Sequence, residues 1–311
     1  MTTEADDPNW PRASAWLAGD HHPDPTARLA VLGVPLHLAS ITPGRCDLAP
    51  AAFRAALDRL GTYDGDAGVD VRSVLVRDEG DLPVADARPE EVLNEVAGAV
   101  GGAVGGSVEP YDAIVLLGGD NSVTRPGCRG LGSSLDRVGL LTIDAHHDLR
   151  DTDGGLSNGN PVRALLDDGL PGWNIFQIGI QPFANSPAYA EAALEAGVTV
   201  VTAAQARTRG VTTVVREALE RLERRVDRVY VDLDVDVLDR AFAPACPGSR
   251  PGGLNPAQVQ AAARACGAHP KVRAMDIVEV DPTRDVADVT VLGAASFLLS
   301  FAAGVASRAG G

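Results

Sequence analysis

The chain has 311 residues, 45% of them apolar, with a formal net charge of −15 and a pI near 4.7. That length buries a sizeable core, and that composition excludes a disordered chain. The negative field repels nucleic acid and anionic membrane surfaces, so neither is an expected partner.

In chain order, Met1 to Pro11 is acidic and polar and lacks the basic and apolar regions of a signal peptide. Residues 1–27 read as a flexible lead, and 28–311 as a single catalytic domain. Eight apolar, mostly β-branched runs predict buried strands. They lie near Leu29–Val34, Val69–Val76, Ala113–Leu117, Val138–Ile143, Asn174–Ile178, Val198–Val201, Arg228–Leu233 and Val272–Val278. After the first, Pro50, Phe53, Leu57 and Leu60 share one helical face. The Ala/Gly stretch 97–106 ends a helix and opens a loop. Before the seventh strand, Val215, Ala218, Leu219, Leu222 and Val226 form another helical stripe. Asn255-Pro256 is an N-cap followed by proline at the first helical position. This alternation predicts an α/β fold: one domain, a mostly parallel sheet and helices on both faces. The apolar run Phe297–Ala306 is too short to span a bilayer. Cys46, Cys128, Cys246 and Cys266 are scattered without a CxxC pair and read as free thiols of a cytoplasmic protein.

Four polar clusters follow predicted strands, where parallel sheets bind ligands. They are Gly118-Gly119-Asp120-Asn121-Ser122, Asp144-Ala145-His146-His147-Asp148, Asp232-Leu233-Asp234-Val235-Asp236 and Glu279-Val280-Asp281-Pro282. In extended chain, residues two apart share a side. Asp144, His146 and Asp148 therefore converge while His147 points elsewhere, and Asp234 and Asp236 converge likewise. So many carboxylates at one rim repel one another unless a divalent metal neutralises them. Carboxylates with imidazole suit Mn²⁺. A lone DxD motif is an ordinary cap or solvated loop; two such motifs with a histidine, each at a strand end, point to metal.

The order GGD-x-S, DAHxD, then DxDxLD with a Pro/Gly-rich loop resembles the ureohydrolases: arginase, agmatinase and formimidoylglutamase. The resemblance runs from Gly33-Val34-Pro35 and Gly44-Arg45 to Glu279. It is close in Ala241-Phe242-Ala243-Pro244 and Pro251-Gly252-Gly253-Leu254. It implies an eight-stranded parallel sheet, two Mn²⁺ per subunit and a homo-oligomer, trimer or hexamer. Asp144 and Asp234 would bridge both ions, and His146 and Asp236 would complete one site. Asp148 and Asn121 would serve the other. Most members carry histidine where this chain has Asn121, so that site is expected to be weak.

Arginases place a proton-shuttling histidine where this chain has Asn158, which argues against arginase itself. The stretch Ser157-Asn158-Gly159-Asn160-Pro161-Val162-Arg163 instead resembles the SNGxPxR loop of bacterial formimidoylglutamases. So do Gln177-Ile178-Gly179-Ile180, Phe183-Ala184-Asn185-Ser186 and Tyr189. The expected activity is Mn-dependent hydrolysis of the small amidine N-formimidoyl-L-glutamate to glutamate and formamide. Asp148 and Glu279 are the expected catalytic residues, and Asn158, Asn160 and Arg163 the expected substrate contacts. The competing readings are an agmatinase or other guanidino-acid hydrolase releasing urea, and an inactive metal-binding homologue.

Overall fold

The structure is a computed structural model that describes residue 7 and residues 9–106 and 109–310. Its strands are β1 (Ala27–Val34), β2 (Tyr63–Asp64), β3 (Val69–Asp70), β4 (Val74–Asp81), β5 (Ala113–Gly118), β6 (Val138–Ile143), β7 (Ile175–Ile180), β8 (Thr199–Thr202), β9 (Arg228–Asp234) and β10 (Val272–Val278). Eight of them form one parallel sheet in the order β4-β1-β5-β10-β9-β6-β7-β8. β2 and β3 make a separate antiparallel pair.

Strand side chains alternate between two cores because their period is two. Leu29 and Val31 of β1, with Val115 and Leu117 of β5, enter one apolar cluster. Ala30 and Leu32, with Ile114 and Leu116, enter the other. Helices 49–56, 211–223, 256–268 and 289–306 cover the first face. Helices 93–105, 161–167 and 187–195 cover the second. The expected helix starting at Asn255 is closed by a capping box with Gln258.

Three expectations are corrected. The second sheet strand begins at Val74, not Val69, because a 3₁₀ turn at Val71–Ser73 separates it from β3. The lead is not flexible to residue 27. Helix Ala13–Leu17 seats Trp16, with no exposed surface, in the first core, and its indole N–H donates to Val74 O at 3.0 Å. Residues 1–6 and 8 of that lead lie outside the described residues. Finally, the apolar run 297–306 belongs to an 18-residue helix, Val289–Ala306, with mean hydropathy 2.0. It is long and apolar enough to cross a membrane, yet 67% of it is buried inside the molecule. It packs so closely on helix 256–268 that a Cβ at Gly304 would meet Arg264 O at 2.2 Å. Glycine at that crossing makes it a core helix.

Candidate metal centre and active site

The clusters read from the sequence follow β5, β10, β9 and β6, which are four consecutive strands at the middle of the sheet. Their loops meet over the carboxyl ends of those strands; those after β6, β9 and β10 line one cavity of about 140 Å³, and the loop after β5 reaches it through hydrogen bonds from Asn121 to Asp148 and Glu279. Its walls include His146, Asp148, Asp234, Asp236 and Glu279.

The 144–148 turn is held from several sides. Asp144 Oδ1 accepts the His146 N–H at 2.6 Å, and Asp236 Oδ1 accepts the Ala145 N–H at 3.1 Å. His146 Nδ1 lies 2.6 Å from Asp236 Oδ2. His147 turns away, as expected, to Gln177 Oε1 at 2.6 Å. Asn185 clamps the same turn, accepting from His147 N–H and donating to Ala145 O. The Gln177 and Asn185 motifs therefore brace the centre from β7 and the loop that follows it.

Two sets of ligand atoms come together. Asp144, His146 and Asp236 form one; Asp144, Asp148 and Asp232 form the other, each within 4.8 Å. Asp144 is common to both. Asp234 lines the cavity with its Oδ1 on the Asp236 N–H at 2.7 Å, but joins neither set. Burial and mutual repulsion push Asp144 up to about 7 and hold Asp148 and Asp234 well above the carboxylate range. Asp236 is the exception: burial raises it, but the His146 charge holds it below its usual value. Asp144 Oδ2 and both oxygens of Asp232 are buried with no hydrogen-bond partner. Buried anionic oxygens without donors, beside an imidazole, suit a hard divalent cation such as Mn²⁺.

Glu279 is fixed at the cavity edge. Its Oε1 accepts the Asn121 N–H at 2.8 Å and the Asn158 side-chain amide at 2.9 Å. Burial, then the Asp120 charge, push it up to about 8. Asp148 and Glu279 both sit in the left-handed backbone region, with φ of 52° and 68°. Non-glycine residues rarely hold that conformation, which costs about 1–3 kcal/mol and clusters at functional sites.

A model of the Arginase family matches residues 27–304. The chain belongs to the arginase family. It is similar to the formimidoylglutamase of Halalkalibacterium halodurans, at 36% identity over 88% of this chain and 86% of that one. It also matches the crystal structure of formimidoylglutamase from Bacillus subtilis, with TM-score 0.87 and 30% identity over 98% and 96% of the two chains. Trypanosoma cruzi formiminoglutamase, solved with Mn²⁺, shares the fold at TM-score 0.84 and 22% identity, over 96% and 99%.

Within this arginase-family site, two of the expected substrate contacts are misplaced. Asn160 is buried and does not line the cavity. Its amide donates to Asp151 O and Gly155 O and accepts the Ser157 N–H, so it closes its own loop. Arg163, in helix Pro161–Asp167, also lies outside the cavity lining. Only its backbone N–H reaches toward the centre, donating to Asp148 O at 3.1 Å. Asn158 does line the cavity, but its amide nitrogen already serves Glu279 and Ser40. Asn121 directs its Nδ2 to Asp148 Oδ2 at 2.5 Å, while its Oδ1 accepts from Thr124.

Sequence reasoning missed Arg150, Arg250 and Asp232. Arg150 and Arg250 are the cavity's arginines. Arg150 was within reach of the alternation argument, being two residues beyond Asp148, and Asp232 likewise, two before Asp234. Arg250 gave no signal inside its Pro/Gly-rich loop.

Proposed function

We propose that the chain hydrolyses N-formimidoyl-L-glutamate to L-glutamate and formamide, using two Mn²⁺ ions per subunit. The observation that carries this reading is the polarity of the cavity. Its floor is carboxylate and imidazole, and its wall carries Arg150 and Arg250. A cationic amidine fits the first and a dicarboxylate tail fits the second, since guanidinium forks match carboxylates. Agmatine, ending in an ammonium, would meet those arginines unfavourably. The formimidoylglutamase relatives support the same choice.

Asp144, His146, Asp148, Asp234 and Asp236 are the residues that would hold the ions. When bound, manganese supplies Lewis acidity, lowering the pKa of water and offsetting the crowded carboxylate charge. Glu279, with Oε1 already held by two donors, presents Oε2 to the substrate amidinium and fixes its carbon for attack. The amidinium charge reverses the upward shift of Glu279. Asp148 orients the attacking water, takes its proton and passes it to the departing glutamate nitrogen. Water adds to the formimidoyl carbon, the bond to the glutamate nitrogen breaks, and formamide leaves. The strained φ of Asp148 and Glu279 keeps both carboxylates aimed before substrate arrives.

By the same resemblance, we place the protein in the cytoplasm as a homo-oligomer, a trimer or hexamer. The functional reading is tested by assaying Mn-loaded protein on formimidoylglutamate, arginine, agmatine and guanidinobutyrate. Formamide from the first substrate is expected. Urea from any of the others, with no formamide, would replace the reading with a guanidino hydrolase. No turnover at all would favour a metal-binding homologue.

A further inference from the structure

We propose that Asp232 is a manganese ligand in this chain, supplying the Asp144–Asp148 side of the centre with the donor that Asn121 does not provide. The inference rests on the metal-dependent reading above.

Asp232 is fully buried on β9, two residues before Asp234 and on the same face of the strand. One of its carboxylate oxygens falls within 4.8 Å of ligand atoms of Asp144 and Asp148. Neither oxygen has a hydrogen-bond partner. Its register neighbour Thr142 on β6 gives it none, and Asp276 on β10, itself a carboxyl group, could reach it only by sharing a proton. Asp276 shows what a satisfied buried carboxylate looks like in the same layer. Its Oδ1 accepts the Leu233 N–H at 3.1 Å, and its Oδ2 accepts the Tyr230 hydroxyl at 2.8 Å and lies 2.8 Å from the Thr124 hydroxyl, whose single proton serves either Asp276 or Asn121 Oδ1. Asp232 has no hydroxyl or amide donor, so it either shares a proton with Asp276 or meets a cation in the direction of Asp144 and Asp148, and the second is the proposal. A carboxylate buried without donor or cation would be strongly destabilising.

Asn121 is engaged otherwise. Its Nδ2 faces Asp148 and its Oδ1 faces the Thr124 hydroxyl, while its backbone N–H holds Glu279. In this arrangement Asn121 positions Asp148 and Glu279 and leaves the coordination place to Asp232. A carboxylate is the better donor for manganese, because it is charged and can chelate. The chain thus reaches three carboxylates around one ion: Asp144, Asp148 and Asp232.

The test is metal content and affinity. Protein stripped with chelator is dialysed against buffered free Mn²⁺, and ions per subunit are measured by plasma mass spectrometry. Low-temperature EPR reports whether the ions form a coupled pair. Wild type should hold two ions. Asp232→Asn should keep one, with the second dissociating about 100-fold more readily, at the upper end of what lost supporting groups cost metal sites. Asn121→Ala should retain both ions within about threefold of wild-type affinity, on the same scale. If Asp232→Asn does not fold, Asp232→Ser gives the same reading without an amide in the buried layer. The Asn121→Ala measurement decides independently. Loss of an ion in Asn121→Ala overturns the proposal, because the amide would then be the ligand. Wild-type affinity for both ions in Asp232→Asn also overturns it and assigns Asp232 a proton shared with Asp276. Absence of manganese from wild type itself would defeat the functional reading rather than the ligand assignment.

Discussion

Asn158 donates its side-chain amide to Glu279 Oε1 at 2.9 Å, and the oxygen of that amide accepts the backbone N–H of Ile41 at 2.8 Å. One side chain thus ties the loop after β6 to the glutamate after β10 and to the loop after β1. Asn158→Ala removes one of two donors holding a buried carboxylate. A hydrogen bond to a charged group contributes about 1.5–3 kcal/mol, so kcat/KM should fall by roughly one to two decades. Manganese content should stay at the wild-type level. A parallel loss of metal would show that Asn158 organises the whole centre rather than Glu279 alone.

Substrate choice separates the two arginines. Arg150 lines the cavity and Arg163 does not. Arg150→Met should lower kcat/KM on formimidoylglutamate by about 10- to 100-fold, the size of one lost charge-assisted hydrogen bond. Turnover of agmatine, which lacks carboxylates, should be unchanged or improved. Arg163→Met should leave both rates within about threefold, as expected for a surface substitution. A large loss in Arg163→Met with none in Arg150→Met would move the carboxylate site to the start of helix 161–167.

Acidity and metal are linked in a defined direction. Asp144, at about 7, and Glu279, at about 8, lie above the ordinary carboxylate range, so the folded, metal-free chain binds more protons than the unfolded one. Stability from such groups is complete below about pH 4, their unfolded value, and is lost as pH rises through 7 to 8. His146, pushed up to about 12 chiefly by Asp236, acts in the same sense above its unfolded value. Metal-free protein should therefore melt at progressively lower temperature between pH 5 and pH 8. Saturating Mn²⁺ should remove most of that slope and raise Tm most at pH 8, because binding displaces the protons. A thermal-shift series with and without chelator measures it. A metal-free Tm that rises with pH would contradict the buried-carboxylate picture.

Trp16 provides a test of the N-terminal helix. It has no exposed surface, and its indole N–H satisfies Val74 O on an edge strand of the sheet. Trp16→Ala should cost about 3–5 kcal/mol and lower Tm by on the order of 10 °C. An unchanged melting temperature would mean that helix 13–17 does not contribute to the core.

The β-branched runs and strand-end acids made the fold class and most of the centre legible, because both depend on local periodicity. Asp144, His146 and Asp148 follow from alternation within five residues, and the structure puts His146 and Asp148 in the wall of one cavity, each within ligand range of Asp144. Local pattern failed where a side chain's partner lies elsewhere. Asn160 looks like a substrate donor until Asp151 O and Gly155 O are seen to consume its amide. Arg150, in the loop, and Arg163, in the first turn of helix 161–167, both follow the same motif, and only the path of the intervening turn decides which one faces the cavity. The N-terminal lead is polar around two tryptophans, of which Trp10 is exposed and Trp16 buried, and nothing local tells them apart without the sheet edge that receives Trp16.

The sequence by itself determined an α/β chain of the arginase type with carboxylates and a histidine at strand ends, since period and motif are properties of neighbouring residues. The tertiary structure decided that β5, β10, β9 and β6 are adjacent, and so that residues as far apart as Asn121 and Glu279 hydrogen-bond. It also decided that Asp276 is met by Tyr230, Leu233 and Thr124 while Asp232, its register partner, has no hydroxyl or amide donor and lies within ligand range of Asp144 and Asp148. Strand order and the donors around a buried charge come from contacts between residues 43 to 158 positions apart in the chain, which no local pattern encodes.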